Sequence, residues 1–432
     1  MPKKLLDDCF LHDKDRLRHD DAVELLKSRV APVTGVERTV ISVIAGRILA
    51  EEAIAARPVP AHTNSAVDGY AVAYAHFNRE AGSRLAISAR AAAGRPLTTA
   101  PAIDTAVRIF TGAVMPEGFD TVAMQEDCDV ETSGSGDNER ATHVTIPPGL
   151  KAGANVRRAG EDMTAGTTLF EAGTLLRPQD AAALASIGLA EVLCRKKVRA
   201  AIVSTGDEVI RAGSRELKPG EVFDANAPML LALARTAGAD VTDLGVWPDD
   251  ENEIQRRLKD AAEQFDIILT SGGASRGEED HILSALDTLG KRHMWQLAVK
   301  PGRPLMFGQI GDAVMVGLPG NPVAVFVCFL MYVYPMLRRL GGGQWPEPRR
   351  FMLPAMFDLP KRKTGRREFF RGVLHMTDQG LAIDKYARDG SALISGLRAA
   401  QGLIDIGEDV PSIARGDLVA FIPFSEFGIL DH

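Results

Sequence analysis

The chain has 432 residues, of which 45% are apolar and 25% are charged, and its formal net charge is −7. This composition is that of a folded globular protein, and the length predicts several domains. The acidic balance argues against general nucleic-acid binding, which usually goes with a surplus of basic residues.

The first predicted elements alternate between helix and strand. The sequence DDAVELLKSRV at 20–30 has the acidic start and spacing of an amphipathic helix. From 64 to 148 short β-prone runs such as VRIFTGAV and HVTIPP alternate with glycine and proline, and TSGSGDN is typical of a turn. This stretch predicts a small β-rich module. A second helix is predicted in RPQDAAALASIGL at 177–189.

The clearest pattern occupies residues 198–343. The strand-like runs are VRAAIVS, ADVTDLGVW, FDIILTS and AVMVGL, and the helix patterns APMLLALARTAGA and NEIQRRLKDAAEQF separate the first three. Such alternation predicts an α/β domain, with a mostly parallel sheet covered by helices on both faces.

An apolar run and a β-rich tail complete the chain. The run VAVFVCFLMYVY at 323–334 is bounded by Pro322 and Pro335, is too short to span a bilayer, and is interpreted as a buried helix. After residue 343, short β-prone segments continue to Phe424 and predict a C-terminal β-barrel or sandwich.

Cysteine and histidine spacing gives no sign of a disulfide framework or a zinc site. The cysteines are Cys9, Cys128, Cys194 and Cys328, and none forms a CxxC pair. We interpret His281 and His293 as ordinary histidines, because neither has a partner at ligand spacing. The first residues, MPKKLLDDCF, contain no apolar signal core. A cytoplasmic location is therefore predicted.

Unusual loops follow strands of the predicted sheet, at the edge where open parallel sheets bind ligands. They are STGDE at 204–208, TSGGASRGEED at 270–280 and GLPGNP at 317–322. Glycines let backbone N–H groups approach an anion, so a phosphate-bearing ligand is predicted. A purely structural turn is the alternative for any one loop. The candidate binding residues are Ser204, Thr205, Gly206, Asp207, Ser271, Gly272, Gly273, Ser275, Gly277, Pro319 and Asn321.

Carboxylates stand beside this predicted phosphate site. Glu278, Glu279 and Asp280 follow the glycines directly and would repel a phosphate unless a divalent cation lay between them. Magnesium is therefore predicted. The candidates to share the ion are Asp207, Glu208 and Asp249.

A stiff basic turn, VKPGRP at 299–304, holds Lys300 and Arg303 three positions apart. Cations fixed by prolines suit a compact oxyanion, because little ordering entropy is left to lose on binding. A solvated basic turn is the alternative interpretation.

Segments along nearly the whole chain resemble a known family. They are HTNSAVDGYAV, TGAVMPEGFDTVAMQED, AGANVRRAGED, STGDEV, GEVFDANAPML, TSGGASRGEED, AVKPGRPLMFG, GLPGNPVAV, REFFRG and GSALISGLRAAQGLIDI. They resemble the MoeA-type molybdopterin molybdenumtransferases, a family that includes the E domain of gephyrin. The resemblance implies insertion of molybdenum from molybdate into adenylylated molybdopterin, with release of AMP and the help of Mg²⁺, in molybdenum cofactor biosynthesis.

The resemblance also implies an architecture. A discontinuous linking and dimerisation domain comprises 12–63 and 149–185, and a β-rich lid domain comprises 64–148. The α/β molybdopterin-binding domain comprises 186–342, and a C-terminal β-barrel comprises 343–432. A homodimer is implied. The candidate partners are the molybdopterin adenylyltransferase and proteins of molybdoenzyme maturation, with neither nucleic acid nor membrane.

Position by position, the resemblance assigns roles to residues. It places Asp68 and Thr111 in the lid, facing the cleft of the neighbouring subunit. The acidic positions tied to activity and metal are Glu208, Asp249 and Asp280. The residues that line the oxyanion end are Lys300, Arg303, Arg371 and Ser391, and Pro301 of the basic turn is a further candidate binding residue. The expected catalytic set is Asp68, Thr111, Glu208, Asp249, Asp280 and Lys300.

Some positions depart from the family pattern. Arg303 replaces a usual lysine, and Ala324 stands where a serine is common. Val67 replaces a methionine, and Arg276 replaces a small apolar residue. The Ala324 change removes a hydroxyl that could contact molybdate, so oxyanion affinity is the property these departures put in question.

Rival functions remain open from the sequence. The α/β domain alone also resembles the adenylyltransferases that activate molybdopterin, which usually lack the lid and barrel segments. A non-catalytic scaffold of the gephyrin E-domain type is a second alternative, and tungstate in place of molybdate is a third. No Ser–His–Asp or Cys–His nucleophile is legible in the sequence, and positioning of the reactants would not require one.

Overall fold

The computed structural model describes residues 16–134, 139–272 and 281–430. The N-terminal helix is His19–Arg29, close to the predicted bounds, with aspartates in its first turn and basic residues in its last. Both charge placements complement the helix dipole. The helix buries Ala22 and Leu26 against the core of the central sheet.

Short antiparallel pairs join the chain before residue 66 to the chain after residue 155. The pairs are Val36–Val40 with Glu191–Arg195, Ala53–Ile54 with Thr168–Phe170, and Asn64–Ser65 with Val156–Arg157. The predicted helix is found at Pro178–Ser186, with proline at its start, and a single 3-10 turn occupies Ile41–Val43. Ile44, Leu49 and Leu184 form the core of this unit.

The intervening residues form a mixed sheet of six strands. In spatial order the strands are Thr121–Met124, Gly69–Val72, Ala106–Ile109, Ser83–Ala91, Arg140–Ile146 and Asp129–Ser133, with 3-10 turns at Tyr74–His76 and Gln125–Asp127. Along Ser83–Ala91 the burial alternates between successive residues, as expected for a sheet with one solvated face. The predicted strand-like runs VRIFTGAV and HVTIPP both contribute strands here.

The central sheet also has six strands. Their spatial order is Asp240–Trp247, Arg199–Thr205, Ile267–Ser271, Ala313–Leu318, Pro304–Ile310 and Lys291–Gln296. The first four are mutually parallel, and the last two are antiparallel. One face carries the helix Asn226–Thr236, and the other carries Glu251–Gln264 and His281–Leu289. The predicted mostly parallel sheet with helices on both faces is confirmed.

The apolar run of the sequence lies in a longer buried helix, Pro322–Leu340. Its α-helical parts Pro322–Cys328 and Tyr334–Leu340 are joined by a π-helical turn at Phe329–Val333. The prediction that Pro335 bounds the helix is wrong, because the wider turn before it accommodates a residue that has no N–H and crowds the preceding turn. The helix has the length and composition of a membrane span, but 89% of it is buried inside the protein. It is a core helix.

The C-terminal sheet begins with strand Val299–Lys300, which comes from the basic turn. In spatial order it continues with Arg367–Thr377, Gly402–Ile406, Leu418–Pro423 and Phe351–Pro354, while Gly380–Lys385 pairs with Arg367–Thr377. The backbone N–H of Met356 donates to the carbonyl of Ile383 at 2.8 Å, which joins the two outer strands. Short helices occupy Ile394–Ala399 and Phe424–Phe427, and Val209–Ile210 pairs with Val222–Phe223.

A buried histidine connects the N-terminal helix to the core helix and the C-terminal sheet. The His19 Nδ1 atom lies 2.8 Å from the Tyr332 hydroxyl, and its ring contacts Phe369 edge-on. Burial lowers the pKa of His19 from 6.5 to about 4, helped by the nearby Arg367 guanidinium and opposed by Asp405. The folded protein therefore holds this imidazole neutral.

This burial predicts a pH-dependent stability. The folded pKa of His19 lies below its unfolded value, so its contribution is complete above about pH 6.5 and is lost as the pH falls toward about 4. The loss is at most roughly 3 kcal/mol. We expect His19→Asn to flatten the fall in unfolding free energy across this window, measured by urea denaturation at several pH values. Exposed His62→Asn is the control, and parallel curves for His19→Asn and wild type would contradict the prediction.

Candidate functional site

Two acidic loops meet beyond the carboxyl ends of adjacent parallel strands. The backbone N–H of Asp207 donates to Asp249 Oδ2 at 3.2 Å, and the N–H of Asp249 donates to Asp207 Oδ1 at 3.2 Å. Glu208 follows Asp207 directly and is exposed. This reciprocal pair holds carboxylates from two strand ends at one place, as the strand order predicts.

Ser204 serves a structural role at the end of its strand. Its hydroxyl donates to Asp224 Oδ2 at 2.6 Å, and both residues are buried. The other Asp224 oxygen accepts the N–H groups of Asn226 and Ala227 at the start of helix Asn226–Thr236. Arg211 Nη1 lies 3.0 Å from Asp224 and balances its charge. Ser204 thus anchors the helix start through Asp224, and its predicted ligand contact stays a prediction.

Asn226 connects the second and third loops. Its Nδ2 donates to the Ser271 hydroxyl at 2.8 Å and to the Gly320 carbonyl at 2.6 Å. Ser271 ends one parallel strand and Gly320 follows the next, so a single amide fixes their spacing. Sequence reasoning missed both Asp224 and Asn226. The signal was the polar pair in GEVFDANAPML, where a strand-like run turns into a helix pattern.

Glycines bring the first two loops together. Gly272 has a φ of +91°, and a Cβ there would lie 3.1 Å from both the carbonyl and the hydroxyl oxygen of Thr205. Gly206 has a φ of +125°, and a Cβ would crowd the Glu208 carboxylate. Both positions need glycine for conformation and for space. The first two loops are therefore closely packed, and their phosphate-binding role stays a prediction.

A cavity of about 580 Å³ opens between the central and C-terminal sheets. It contains predicted residues from four separate segments, namely Lys300, Pro301, Arg303, Pro319, Asn321, Arg371 and Ser391. Six basic side chains and two carboxylates line it. The basic residues are Arg16, Lys300, Arg303, Lys363, Arg366 and Arg371, and the acidic ones are Glu368 and Asp389. Such an excess of fixed positive charge in a concave site attracts anions.

Arg371 is the buried cation of this cavity. Its guanidinium donates to the carbonyls of Leu393 and Arg388 at 2.9 and 2.6 Å, and it stacks on the Tyr386 ring with 5.0 Å from Cζ to the ring centroid. Burial lowers its pKa, although Asp389 opposes this. In the described part of the chain no carboxylate comes within ion-pair distance of Arg371. Its charge is therefore available to a bound anion.

Lys300 is placed by strand pairing within the C-terminal sheet. Strand Val299–Lys300 runs parallel to Arg367–Thr377, with Lys300 opposite Glu368. The Lys300 ammonium lies 3.7 Å from the Glu368 carboxylate, and Arg366 Nε lies 2.9 Å from the same group. Glu368 is 3% exposed, so it is a buried counter-ion that sequence reasoning missed. The charge in REFFRG was its only signal.

The glycine of the basic turn packs on the core helix. Gly302 has a φ of +112°, and a Cβ there would overlap the Cys328 sulfur. The Cys328 thiol lies 3.6 Å from the Gly302 carbonyl, as donor to acceptor, and burial raises the pKa of that thiol. Cys328 is therefore an unreactive residue on which the turn packs.

Asp68 and Thr111 contact each other in the sheet of the inserted segment. The Thr111 N–H and hydroxyl both donate to Asp68 Oδ1, at 2.7 and 2.8 Å. These bonds, the backbone one first, lower the pKa of Asp68. Neither residue lines the basic cavity of the same chain.

Some predicted residues are not placed. Gly273, Ser275, Gly277 and Asp280 lie outside the described residues. Within 16–134, 139–272 and 281–430 no group of three His, Cys, Asp or Glu side chains could hold a metal ion. The predicted set of Glu208, Asp249 and Asp280 therefore stays a prediction. His281 begins a helix and His293 lies in a strand.

Family models match the chain in order. They are the MoeA N-terminal region (domain I and II) at 17–188, a probable molybdopterin binding domain at 201–339, and the MoeA C-terminal region (domain IV) at 353–424. Most strands of the inserted sheet, the central sheet and the C-terminal sheet lie in the first, second and third match respectively.

Similar proteins cover most of the chain. It is 35% identical over 383 residues to the molybdopterin molybdenumtransferase of Haemophilus influenzae, which covers 88% of this chain and 92% of that protein. It is 34% identical to that of a Nostoc species, over 88% and 87% of the two chains. A solved structure of the molybdopterin biosynthesis MoeA protein from Pyrococcus horikoshii superposes with a TM-score of 0.79 at 27% identity, covering 95% of this chain and 100% of that one.

The packing of Gly302 predicts a specific cost of substitution. Gly302→Ala should destabilise the fold by about 2–4 kcal/mol, because an unfavourable φ is joined by overpacking. Gly365→Ala is the matched control, since Gly365 has a φ of +80° and nothing within 4 Å of a Cβ, and it should cost roughly 1 kcal/mol. Cys328→Ala should restore part of the Gly302→Ala loss in urea denaturation. Equal costs at the two glycines would refute the contact.

Proposed function

The chain belongs to the MoeA family of molybdopterin molybdenumtransferases, and we propose that it inserts molybdenum from molybdate into adenylylated molybdopterin and releases AMP. The observation that carries the proposal is the basic cavity, because its cations come from three segments and adjoin the loops of the parallel sheet edge. Molybdate would occupy the cavity, and the nucleotide would lie on the glycine-rich loops.

The basic residues have distinct tasks in this proposal. Arg371 supplies a planar fork whose orientation is fixed by two carbonyls, which suits an oxyanion. Lys300 supplies a point charge on the cavity wall, 3.7 Å from the Glu368 carboxylate. Arg303 lies across the same turn and donates to Gln296 at 3.4 Å. Together they would hold molybdate while the pterin sulfurs donate electron pairs to molybdenum and negative charge builds on the departing oxygen.

Positioning would supply most of the rate. Two sulfur atoms of the pterin replace oxygen at molybdenum, and the displaced oxygen leaves as water with the protons of the two thiols. The phosphoanhydride is cleaved by water to release AMP. Aligned reactants gain roughly 7–11 kcal/mol over free ones, and fixed N–H groups and cations stabilise the developing phosphate charge without reorganising. Ala324 lines the cavity, so this chain would hold molybdate without a hydroxyl there.

A magnesium ion is proposed at the acidic sheet edge. Asp207 and Asp249 already present carboxylates from neighbouring loops, and Mg²⁺ prefers oxygen ligands. The proposed ligands are Glu208, Asp249 and Asp280, of which Asp280 lies outside the described residues. When bound, the ion would neutralise charge on the phosphoanhydride.

We further propose the domain roles that the family resemblance implied. Residues 64–148 are a lid, 12–63 and 149–185 a linking and dimerisation domain, 186–342 the α/β molybdopterin-binding domain, and 343–432 a β-barrel. The bond from Met356 to Ile383 supports the barrel, because it joins the outer strands. Exposed Val36, Val40, Val43 and Ile54 support a homodimer, because a second copy of this chain would cover these apolar side chains.

In such a dimer, Asp68 and Thr111 of one protomer would meet the basic cavity of its partner, since they do not line the cavity of their own chain. We propose a cytoplasmic location. The proposed transient partners are the adenylyltransferase that supplies the substrate and proteins that receive the product.

The rival functions are weaker. An adenylyltransferase would need neither the basic cavity nor the C-terminal sheet that builds half of it. A scaffold without catalysis would not need Arg371, a buried arginine without a carboxylate partner. Burying such a charge costs desolvation energy, which a bound anion would offset. Incubation with ATP and unmodified molybdopterin tests the first rival, because the proposed transferase should form no adenylylated product.

The basic cavity predicts how molybdate binding depends on its cations. Lys300→Ala and Arg371→Ala should each raise the molybdate concentration for half-maximal turnover by about ten-fold or more, since a charge-assisted contact contributes roughly 1.5–3 kcal/mol. The KM for adenylylated molybdopterin should change far less. Lys259→Ala, exposed on the helix Glu251–Gln264, is the control. Equal shifts of both KM values would remove the oxyanion role.

The acidic edge predicts how AMP release depends on magnesium. In Asp249→Asn the amide oxygen still accepts from Asp207, so the loops stay in place while one negative charge is lost. The Mg²⁺ concentration for half-maximal AMP release should rise by about ten-fold or more. Asp250→Asn is the neighbouring control, because Asp250 caps the helix by accepting from Glu253 and asparagine caps equally well. An unchanged magnesium requirement in Asp249→Asn would exclude it as a ligand.

A further inference from the structure

We propose that Asn226 is a further substrate-recognition residue, whose amide oxygen accepts a hydrogen bond from an N–H or O–H group of the bound pterin nucleotide. The inference rests on the proposed function, since it takes that nucleotide as the ligand of the sheet edge. It concerns a residue that neither the loop motifs nor the basic cavity includes.

The orientation of the Asn226 amide is fixed by its neighbours. Its Nδ2 has two N–H groups, and they donate to the Ser271 hydroxyl at 2.8 Å and the Gly320 carbonyl at 2.6 Å. A carbonyl oxygen can only accept, so the group that faces Gly320 must be the NH₂. The Oδ1 atom is therefore an acceptor that cannot exchange places with the nitrogen.

This acceptor is buried and has no partner. Asn226 is 9% exposed, and its Oδ1 atom makes no hydrogen bond in the described structure. An unsatisfied buried acceptor is costly, and native structures tolerate few of them. A ligand that supplies a donor would recover the lost hydrogen bond. The Oδ1 atom would thus accept a hydrogen bond from the bound ligand.

The position of Asn226 supports the pterin nucleotide as its ligand. It stands at the start of helix Asn226–Thr236, beyond the carboxyl ends of strands Ile267–Ser271 and Ala313–Leu318. Gly320, which it holds, lies on the wall of the basic cavity. Asp224 accepts hydrogen bonds from the Ala227 N–H at the same helix start and from the Ser204 hydroxyl. The amide therefore lies between the proposed nucleotide loops and the proposed molybdate cavity, on a rigid support.

Ligand chemistry then selects between the two substrates. Fully deprotonated molybdate and phosphate oxygens are acceptors only, so they cannot satisfy Oδ1. The pterin ring, its amino group, the ribose hydroxyls and the adenine amino group all donate. Asn226 would therefore recognise the organic part of the nucleotide, while Arg371 and Lys300 recognise the oxyanion.

Burial of an unpartnered oxygen is not sufficient by itself. The Thr270 hydroxyl is also buried without a partner, but side chains alternate along the strand Ile267–Ser271 and Thr270 faces away from Ser271. Thr270 thus lies on the face opposite Asn226. It provides an internal control, because Thr270→Val removes a comparable oxygen away from the proposed ligand.

The test compares binding of the two substrates to the intact protein. In Asn226→Ala the Kd for adenylylated molybdopterin, measured by calorimetry without molybdate, should rise about ten-fold or more, the equivalent of one hydrogen bond. The Kd for molybdate alone should change less than about two-fold. Thr270→Val should leave both unchanged. Equal weakening of both substrates, or unchanged nucleotide binding, would overturn the proposal.

A measurement on the wild type covers the case in which Asn226→Ala fails to fold. A crystal structure with the bound pterin nucleotide should place one of its N–H or O–H groups within about 3.2 Å of Asn226 Oδ1. A nucleotide bound elsewhere, or with no donor at that atom, would overturn the proposal. Wild-type turnover of adenylylated molybdopterin is measured first, so that failure of the proposed function is recognised separately.

Discussion

The parallel run of strands in the central sheet is the constraint on which the site depends. Four of its strands are parallel, namely Asp240–Trp247, Arg199–Thr205, Ile267–Ser271 and Ala313–Leu318. The loops that follow these strands therefore emerge at one edge. Hydrogen bonds then fix the loops to each other. Asp224 and Asn226 do most of this at the start of a single helix, so one short segment sets the relative positions of loops from three strands.

The positive charge of the cavity is the second feature on which the site depends. The cavity between the sheets gathers six basic side chains around two carboxylates, an arrangement that is unfavourable without an anion. Glu368 offsets part of the repulsion while it holds Lys300 and Arg366. Arg371 is satisfied by carbonyl oxygens, which orient it without neutralising it. The fold thus places preorganised positive charge beside the sheet edge whose glycine-rich loops would bind the nucleotide.

Much of this was predictable because it is encoded locally. Parallel strands buried on both faces read as continuous apolar runs, and loops such as TSGG and KPGRP carry their own signals. The antiparallel strands Lys291–Gln296 and Pro304–Ile310 were missed, because their sequences are interrupted by charge and glycine. Pro335 was taken as a helix end, since a π-helical turn has no sequence signature. Ser204, Asn226 and Glu368 have roles set by contacts distant in sequence, which one chain read alone does not reveal.

The central claim is that the basic cavity holds the oxyanion. Anomalous diffraction from a crystal soaked with tungstate, a heavy analogue of molybdate, tests it most directly. We expect one strong peak within hydrogen-bond distance of the Arg371 guanidinium and the Lys300 ammonium. A tungstate peak only at the acidic edge beside Asp249, or only at sites outside this cavity, would contradict it.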